Sequence, residues 1–557
     1  MPQQSRADYL AGAQTHEVFN VAEPFENYNS YREDLHLQHL VRSFGAGWAD
    51  SDLSAWGEKT GSARWLKWGF LANANPPKLC THDAYGRRLD AVEYHPAYHN
   101  LMRGALSRGL HSIPWNQPGA GAHVYRAALV YLQTQVEQGH GCPVTMTFSC
   151  VPTLRRQADL AEQWLPKVLA TDYDPSDRPM EEKKALTIGM AMTEKQGGSD
   201  LRANTTIARP LYAPGGGQPY ELLGHKFFMS APMSDAFLFL AQTDGNLSCF
   251  LVPRWRPDGE RNTLFIQRLK DKMGNVSNAS GEVELRGTLG WLVGEEGRGV
   301  ATILEMGALT RFDCLLASAA AMRQAVVQAV HHCTHRRAFG KALVDQPLMQ
   351  NVLADLIVES DAALVLAMRL AKALDHPDNP GERALLRIGT AIGKYWNCKR
   401  VPGHAYEAME CLGGNGVMND FMTARLYREA PINAIWEGSG NIQCLDVLRV
   451  LERQPECLQA LQAELMGTQG LDPRLDAHVD KLYQLLGDQN GLAYTARTLV
   501  EAMALALQGS LLLSHGDARV ADAFLASRLD APAGLYGNLP PGIPVSELIE
   551  RAIPLYG

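Results

Sequence analysis

The residues best suited to chemistry in this chain lie in one glycine-rich loop, residues 435–443, with the sequence Ile-Trp-Glu-Gly-Ser-Gly-Asn-Ile-Gln. Glycines let a backbone approach a ligand closely, so this loop could bring Glu437 against a flat cofactor as a base. Ser439 and Asn441 precede a helix that we expect to begin at about Gln443, where free N–H groups attract phosphates. Taken alone, a glutamate in such a loop is more often a surface residue that caps a helix.

A second candidate is the pair His331 and His335, whose i, i+4 spacing is compatible with metal ligation. The sequence offers no acidic third ligand nearby, so we predict a helix face at a subunit contact and no metal site. The ten cysteines are scattered and form no C-x-x-C pair, which argues against zinc and redox motifs. This cysteine usage fits a reducing cytoplasm.

Composition limits the class of protein. The chain has 557 residues, of which 46% are hydrophobic and 20% charged, and its net charge is −8. That length predicts about three or four domains, and the acidic balance argues against a large nucleic-acid surface. Met1–Asp8 has no apolar core, so we expect no secretory signal. The late apolar stretch 502–513 is short and contains Gln508, so we expect no membrane span.

The type of secondary structure that the sequence predicts changes along the chain, and these elements must position the loop. Residues 1–185 show helical periodicity, as in 124–136 and 154–169, whereas 186–290 contain short strands separated by turns at 215–217 and 244–246. Helical periodicity returns in 291–452, with long stretches at about 300–334, 346–375 and 382–412 that predict an antiparallel bundle. Residues 453–557 are also helix-rich, with 7 Lys and Arg against 12 Asp and Glu. We therefore predict a mostly α, α+β fold with four domains: an N-terminal helical domain (1–185), a β-barrel (186–290), a helical bundle (291–452) and an additional C-terminal helical domain (453–557).

Five motifs follow one another between residues 189 and 439, and together they resemble the acyl-CoA dehydrogenase family. They are Gly189–Asp200 (GMAMTEKQGGSD), Lys226–Ser230 (KFFMS), Arg336–Gly340 (RRAFG), Leu412–Gly416 (LGGNG) and Trp436–Ser439 (WEGS). Met192–Asp200, Leu309–Cys314 and Ile435–Val450 resemble its AidB-like branch, the adaptive alkylation-response flavoproteins. The segment 71–96 and the region beyond 450 share this resemblance.

The resemblance implies a noncovalent FAD site and a catalytic base at Glu437. The FAD-binding residues that it implies are Met190, Met192, Thr193, Gly198, Ser199, Phe228, Met229, Ser230, Arg336, Phe339, Gln346, Gly413, Gly414, Trp436, Gly438, Ser439 and Asn441. Among them Arg336, Phe339 and Gln346 would reach the FAD of a neighbouring subunit, and Gly413, Gly414 and the start of the helix would hold the adenine-side phosphates or ribose. Asp313 is a rival base, because some family members place the base on that earlier helix.

Three functions are compatible with this resemblance. The first is α,β-dehydrogenation of a short or branched acyl-CoA, with electron-transfer flavoprotein as acceptor and slow turnover as one variant. The second is a protective flavoprotein that binds double-stranded DNA, which the acidic region 453–557 disfavours unless Arg453, Arg474, Arg497, Arg519 and Arg528 converge on one face. The third is a flavoprotein oxidase. A cytoplasmic homotetramer is expected by resemblance. Val276 and Glu410 depart from the family pattern, which leaves substrate and subunit contacts open.

Overall fold

The computed structural model of the protein describes residues 15–244, 246–487 and 491–552. Helices make up 56% of the chain, and most strands join one sheet. The predicted fold class, α+β and mostly helical, is confirmed. The segment Met1–Asp8 and the turn residue Gly245 lie outside the described residues.

Helices form the part of the chain that precedes the sheet. They are α1 (Leu35–Ser43), α2 (Asp50–Thr60), α3 (Ala63–Ala74), α4 (Pro96–Ser107), α5 (Ile113–Asn116), α6 (Ala122–Val136), α7 (Gly141–Leu154) and α8 (Ala158–Val168). An antiparallel hairpin of β1 (Lys78–His82) and β2 (Arg88–Glu93), which the sequence analysis missed, lies between α3 and α4. The helix expected over 154–169 is two elements, because Gln157 adopts an extended backbone (φ −128°, ψ 101°).

The central strands close into a barrel, as predicted. They are β3 (Ile188–Ala191), β4 (Ile207–Pro210), β5 (Pro219–Ser230), β6 (Ala236–Thr243), β7 (Asn246–Pro253), β8 (Leu264–Leu269) and β9 (Ser280–Val293). Strand β6 pairs with β4, then β5, β9 and β7 follow, and β7 pairs back to β6. Strands β3 and β8 extend this ring from β6 and β9. Closure leaves few free strand edges.

Strand β6 shows why the barrel sits between helical layers. Phe237 and Phe239 face the barrel core, whereas Leu238 and Leu240 pack with side chains of α7, α8 and the following long helix. Successive side chains of a strand point to opposite faces, so a strand covered on both faces is apolar throughout.

A bundle of long helices follows the barrel. These helices are α9 (Gly299–His335), α10 (Pro347–Leu374) and α11 (Pro380–Cys411). Their bounds agree with the predicted stretches within three residues. Pro347 and Pro380 stand at the first position of α10 and α11, where the missing N–H group of proline costs no hydrogen bond. Helix α9 is apolar around most of its circumference because it contacts α6, α7, α10 and α11 at once.

Shorter helices carry the chain to its C-terminal region. They are α12 (Met422–Glu429), α13 (Ile432–Ile435), α14 (Gly440–Arg453), α15 (Pro455–Met466), α16 (Pro473–Gly487), α17 (Leu492–His515), α18 (Ala518–Leu525) and α19 (Val545–Ala552). Helix α17 is long and apolar enough to cross a membrane, but most of it is buried within the protein. Its Gln508 accepts a hydrogen bond from Trp396 Nε1 (3.0 Å) and donates to Asn397 Oδ1 (3.3 Å), as expected of a core helix.

Candidate active site

Glu437 lies in a left-handed turn between α13 and α14. Its φ is +57° and that of Gly438 is +100°. A non-glycine residue in this conformation costs about 1–2 kcal/mol, so neighbouring contacts must hold it there. Helix α14 begins at Gly440, three residues earlier than the sequence suggested, which places Ser439 directly before the helix.

Three side chains hold the turn through its main-chain carbonyl groups. Lys394 Nζ donates to the carbonyl oxygens of Trp436 (2.7 Å) and Gly438 (2.6 Å). Arg311 Nε donates to the Glu437 carbonyl oxygen (2.9 Å). The third donor is Gln443, whose Nε2 atom donates to the carbonyl oxygens of Glu437 (3.1 Å) and Gly438 (3.0 Å). None of these three side chains was assigned a role from the sequence, although Arg311 lies in the run Leu309–Cys314 that carries the branch resemblance.

The Glu437 carboxylate is half-buried and accepts a hydrogen bond from Thr310 Oγ1 (2.9 Å). Burial raises the pKa of this carboxyl above its ordinary value, while Thr310, Arg311 and Lys394 offset part of the rise. A carboxylate with a raised pKa is better matched to removing a weakly acidic proton. This environment differs from that of a solvated surface cap.

The rival carboxylate, Asp313, is committed elsewhere. Arg126 binds it with two hydrogen bonds (2.8 and 2.6 Å), and Thr145 Oγ1 donates a third (2.6 Å). Both charged side chains are almost fully buried. A carboxylate whose oxygens are engaged by a buried guanidinium and a hydroxyl is not free to contact a substrate, so the structure favours Glu437.

The implied flavin-binding segments are brought together at one end of the barrel. The Phe227 N–H donates to the Thr193 carbonyl oxygen (2.8 Å), which joins the turn after β3 to β5. Along β5, Phe228 is 44% exposed, Met229 is fully buried, and the Ser230 hydroxyl lies 3.1 Å from that of Ser280. Nearby, Met190 is buried, Met192 and Thr193 are half-buried, and Gly198 and Ser199 lie in the adjoining turn.

An ion pair that the sequence analysis missed locks these segments. Lys226 Nζ donates to Glu194 Oε1 (2.8 Å) and to the Leu240 carbonyl oxygen (2.7 Å), and both charged side chains are inaccessible to solvent. Burial works to raise the pKa of Glu194, but Lys226 and N–H donors from residues 205 and 206 outweigh it and lower the pKa to about 2. In the sequence, the sign of this ion pair was that Glu194 and Lys226 carry opposite charges and stand in two motifs that follow one another.

The Cys142 thiol, at the start of α7, connects the end of β5 with the Glu437 loop. Burial raises the pKa of this thiol to about 12; Lys272 opposes the rise, the Glu437 charge adds to it, and Ser230 opposes it. Ser230 at the end of β5 and the Glu437 carboxylate are therefore both close to Cys142, and the region between them is the candidate cleft.

The remaining predicted residues form a second cluster, far from Glu437 in the same chain. Arg336, Phe339 and Gln346 surround a short hairpin of β10 (Arg337–Ala338) and β11 (Lys341–Ala342) at the C-terminal end of α9. Thr310 lies in the N-terminal third of that helix, so Arg336 is about 39 Å away from it along the axis. Gly413 and Gly414 follow α11 at the same end, because Cys333 Sγ approaches the Cys411 carbonyl oxygen (4.0 Å).

The structure thus does not bring Gly413 and Gly414 to the start of α14. Residues 394 and 411 are about 26 Å apart along α11, and Lys394 marks the Glu437 end. At the start of α14, Ser439 and Asn441 are exposed, and Asn441 Oδ1 accepts a hydrogen bond from Arg497 (2.9 Å). The implied FAD-binding residues therefore form two groups, and these groups lie at two separate places within one chain.

An N-terminal segment supports the second cluster. Asn20, in the left-handed region (φ +57°), donates to the Arg337 carbonyl oxygen (2.9 Å) and accepts from its N–H (2.7 Å). Arg336 Nη1 donates to the Asn20 carbonyl oxygen (2.7 Å). In the same helix end, His331 Nε2 lies 2.7 Å from the Glu23 carbonyl oxygen, and His335 Nδ1 lies 2.8 Å from that of His331. These histidines are engaged with main-chain groups.

Comparisons with known proteins agree with this architecture. Three family models match consecutive parts of the chain: the N-terminal domain of the adaptive response protein AidB over residues 20–175, the acyl-CoA dehydrogenase middle domain over 189–288, and the acyl-CoA dehydrogenase C-terminal domain over 297–452. The putative acyl-CoA dehydrogenase AidB of Escherichia coli is 44% identical over 94% of this chain and 96% of its own length. This chain belongs to the acyl-CoA dehydrogenase family, in its AidB-like branch.

Two nematode matches extend the comparison. Acyl-CoA dehydrogenase family member 11 of Caenorhabditis elegans is 30% identical over 86% of this chain and 80% of its own length. The crystal structure of C. elegans ACDH-11 in complex with C11-CoA has a TM-score of 0.82 and 26% identity, covering 97% of this chain and 94% of that one. The predicted family, its cofactor FAD and its class, oxidoreductases acting on CH–CH bonds, are confirmed.

The residues present in this chain fit FAD. Phe228 offers a half-exposed aromatic face beside buried Met229, which suits stacking against a flat ring. A Cβ added at Gly413 or Gly414 would meet no atom within 4 Å, so both glycines border open space. At the start of α14 the Ser439 side chain forms no capping hydrogen bond within the described structure, which leaves first-turn N–H groups for an anion.

Proposed function

We propose that this protein catalyses α,β-dehydrogenation of an acyl-CoA, with Glu437 as the base that removes the α-proton. Bound FAD would supply the acceptor for the hydride equivalent that leaves the β-carbon. Glu437 is suited to the first task because its carboxylate borders the cleft, with a raised pKa and a fixed backbone. That single carboxylate carries the proposal, since Asp313 is held by Arg126.

The substrate class follows from relatives rather than from the cleft alone. The C. elegans structure is of a complex with C11-CoA, and its 26% identity extends over nearly the whole chain. We propose an acyl thioester for this chain also, with short or branched acyl groups as the first candidates. Electron-transfer flavoprotein is the proposed electron acceptor.

We further propose that FAD is held between two copies of the chain. Arg336, Phe339 and Gln346 are about 39 Å from Thr310 along α9, so they cannot reach the flavin ring of their own subunit's cleft. A neighbouring subunit would supply this cluster in a cytoplasmic homotetramer. We also propose four domains with the boundaries 1–185, 186–290, 291–452 and 453–557.

Anaerobic titration tests the dehydrogenase proposal. We expect isovaleryl-CoA, or a straight-chain C11 acyl-CoA, to bleach the flavin absorbance of the purified holoprotein, whereas free CoA does not. Glu437→Gln should abolish bleaching without loss of bound FAD, and Glu452→Gln, an exposed carboxylate on α14, should leave it unchanged. If none of a range of acyl-CoA chain lengths bleaches the bound flavin, the dehydrogenase proposal fails.

A second proposal is protection against alkylation damage with binding to double-stranded DNA. The match to the adaptive response protein over residues 20–175 favours it. Two of the C-terminal arginines do not support a phosphate surface: Arg474 pairs with Asp472 and Asp522, and Arg528 is buried against Asp355 and Glu359. Duplex binding measured against salt tests this proposal, because a log–log slope near zero excludes a phosphate-backbone interface.

A further inference from the structure

We propose that Lys394 is a positioning residue for the base: it holds the Glu437 turn in its left-handed conformation and orients the carboxylate toward the cleft. Its ammonium group lies at the middle of α11, only 1% of the residue is exposed, and it donates to the carbonyl oxygens on both sides of Glu437. One cation therefore grips the turn at residues 436 and 438, immediately before and after the base.

The backbone conformation of this turn needs contacts that hold it. Glu437 occupies a conformation that glycine favours, and its neighbour Gly438 is also left-handed, so the turn has no helix or sheet ladder to maintain it. An ammonium group is costly to bury unless hydrogen bonds replace its hydration. Two short bonds to carbonyl oxygens supply that replacement and cross-link α11 to the loop.

Lys394 also affects the charge of the base. The groups around the Glu437 carboxylate are Thr310 and Arg311 from α9, Lys394 from α11, Cys142 from α7, and Cys314 from α9. Of these, Arg311 and Lys394 are the cations, and each works to lower the pKa of Glu437 against the effect of burial. Removing the Lys394 charge should therefore shift the ionisation of the base toward higher pH.

Substitution of Lys394 tests this role, and the inference rests on the proposed function of Glu437 as base. In Lys394→Met we expect the rate of flavin bleaching by acyl-CoA to fall by roughly 100-fold, the size of effect that a misplacement of about 1 Å produces. The acid limb of its pH–rate profile should move to higher pH. Lys394→Arg should keep the limb in place and recover most of the rate. Lys67→Met, an exposed lysine of α3, is the matched control and should behave as wild type.

Amide hydrogen exchange separates the two proposals, since it needs no turnover. The peptide covering residues 436–440 should exchange at least tenfold faster in Lys394→Met than in wild type, with bound FAD retained. Unchanged exchange in that variant overturns the positioning role even if Glu437 is the base, and absence of bleaching in wild type overturns the base without touching the exchange result. If Lys394→Met does not fold, Lys394→Arg provides the test. Amide exchange as fast as in wild type, together with an acid limb of the pH–rate profile that has moved, would contradict the inference.

Discussion

Lys226→Met tests how the barrel holds the flavin-facing segments together. The substitution keeps the length of the side chain but removes the cation that binds Glu194 Oε1 at 2.8 Å. The carboxylate would remain buried, with N–H donors at Thr205 and Thr206 but no countercharge. Breaking a buried ion pair in this way costs about 3–5 kcal/mol, because the remaining charge has lost both water and partner.

The expected effect is a lower unfolding temperature and weaker retention of FAD. For a cooperative unit of about 150–250 residues, a loss of about 3–5 kcal/mol corresponds to a fall of roughly 6–20 °C. Differential scanning calorimetry would report the transition, and flavin fluorescence would report cofactor release during the same scan. The double variant Glu194→Gln, Lys226→Met should recover a large part of the loss, because no unpaired charge is then buried.

The pH dependence of the free energy of unfolding tests the sign of this effect. The pKa of Glu194 is lowered to about 2, so in wild type the stability from this pair is present above the ordinary value of 4.5 and is lost as pH falls toward 2. In Lys226→Met, protonation of Glu194 removes the buried charge, so the difference from wild type should shrink as pH falls. A variant within 1 kcal/mol of wild type at neutral pH, or a deficit that grows at low pH, would refute the reasoning.

Three further outcomes are expected. Asp313→Asn should lower stability by about 3–5 kcal/mol, since Arg126 loses its buried partner, yet retain flavin bleaching by acyl-CoA; loss of bleaching in a folded holoprotein would reopen the choice of base. The bleaching rate of wild type should rise with pH through a midpoint above 4.5, because Glu437 acts as a carboxylate and its pKa is raised; a midpoint at or below 4.5 contradicts this. Asn20→Ala should weaken FAD binding by about three- to tenfold in equilibrium dialysis, through loss of its bonds to the Arg337 hairpin, and unchanged affinity would separate that segment from the cofactor site.

Much of the architecture follows from local patterns. Helical periodicity marked α9, α10 and α11 within three residues, and alternating or apolar runs marked strands of the barrel. The β1–β2 hairpin and the break at Gln157 were missed, because a five-residue strand and a single extended residue leave little periodic signal. The order of five motifs was sufficient to indicate the family.

The candidate site divides in the same way. The sequence by itself determined that Glu437 stands in a glycine-rich turn before a helix, and that aromatic and glycine motifs accompany it. Only the tertiary structure decided that Asp313 is neutralised by Arg126, 187 residues away, and that Lys394 holds the turn from 42 residues before it. It also decided that the Arg336 cluster lies at the opposite end of α9. Periodicity identifies which face of a helix is buried, but the partner of a buried charge depends on how distant segments pack.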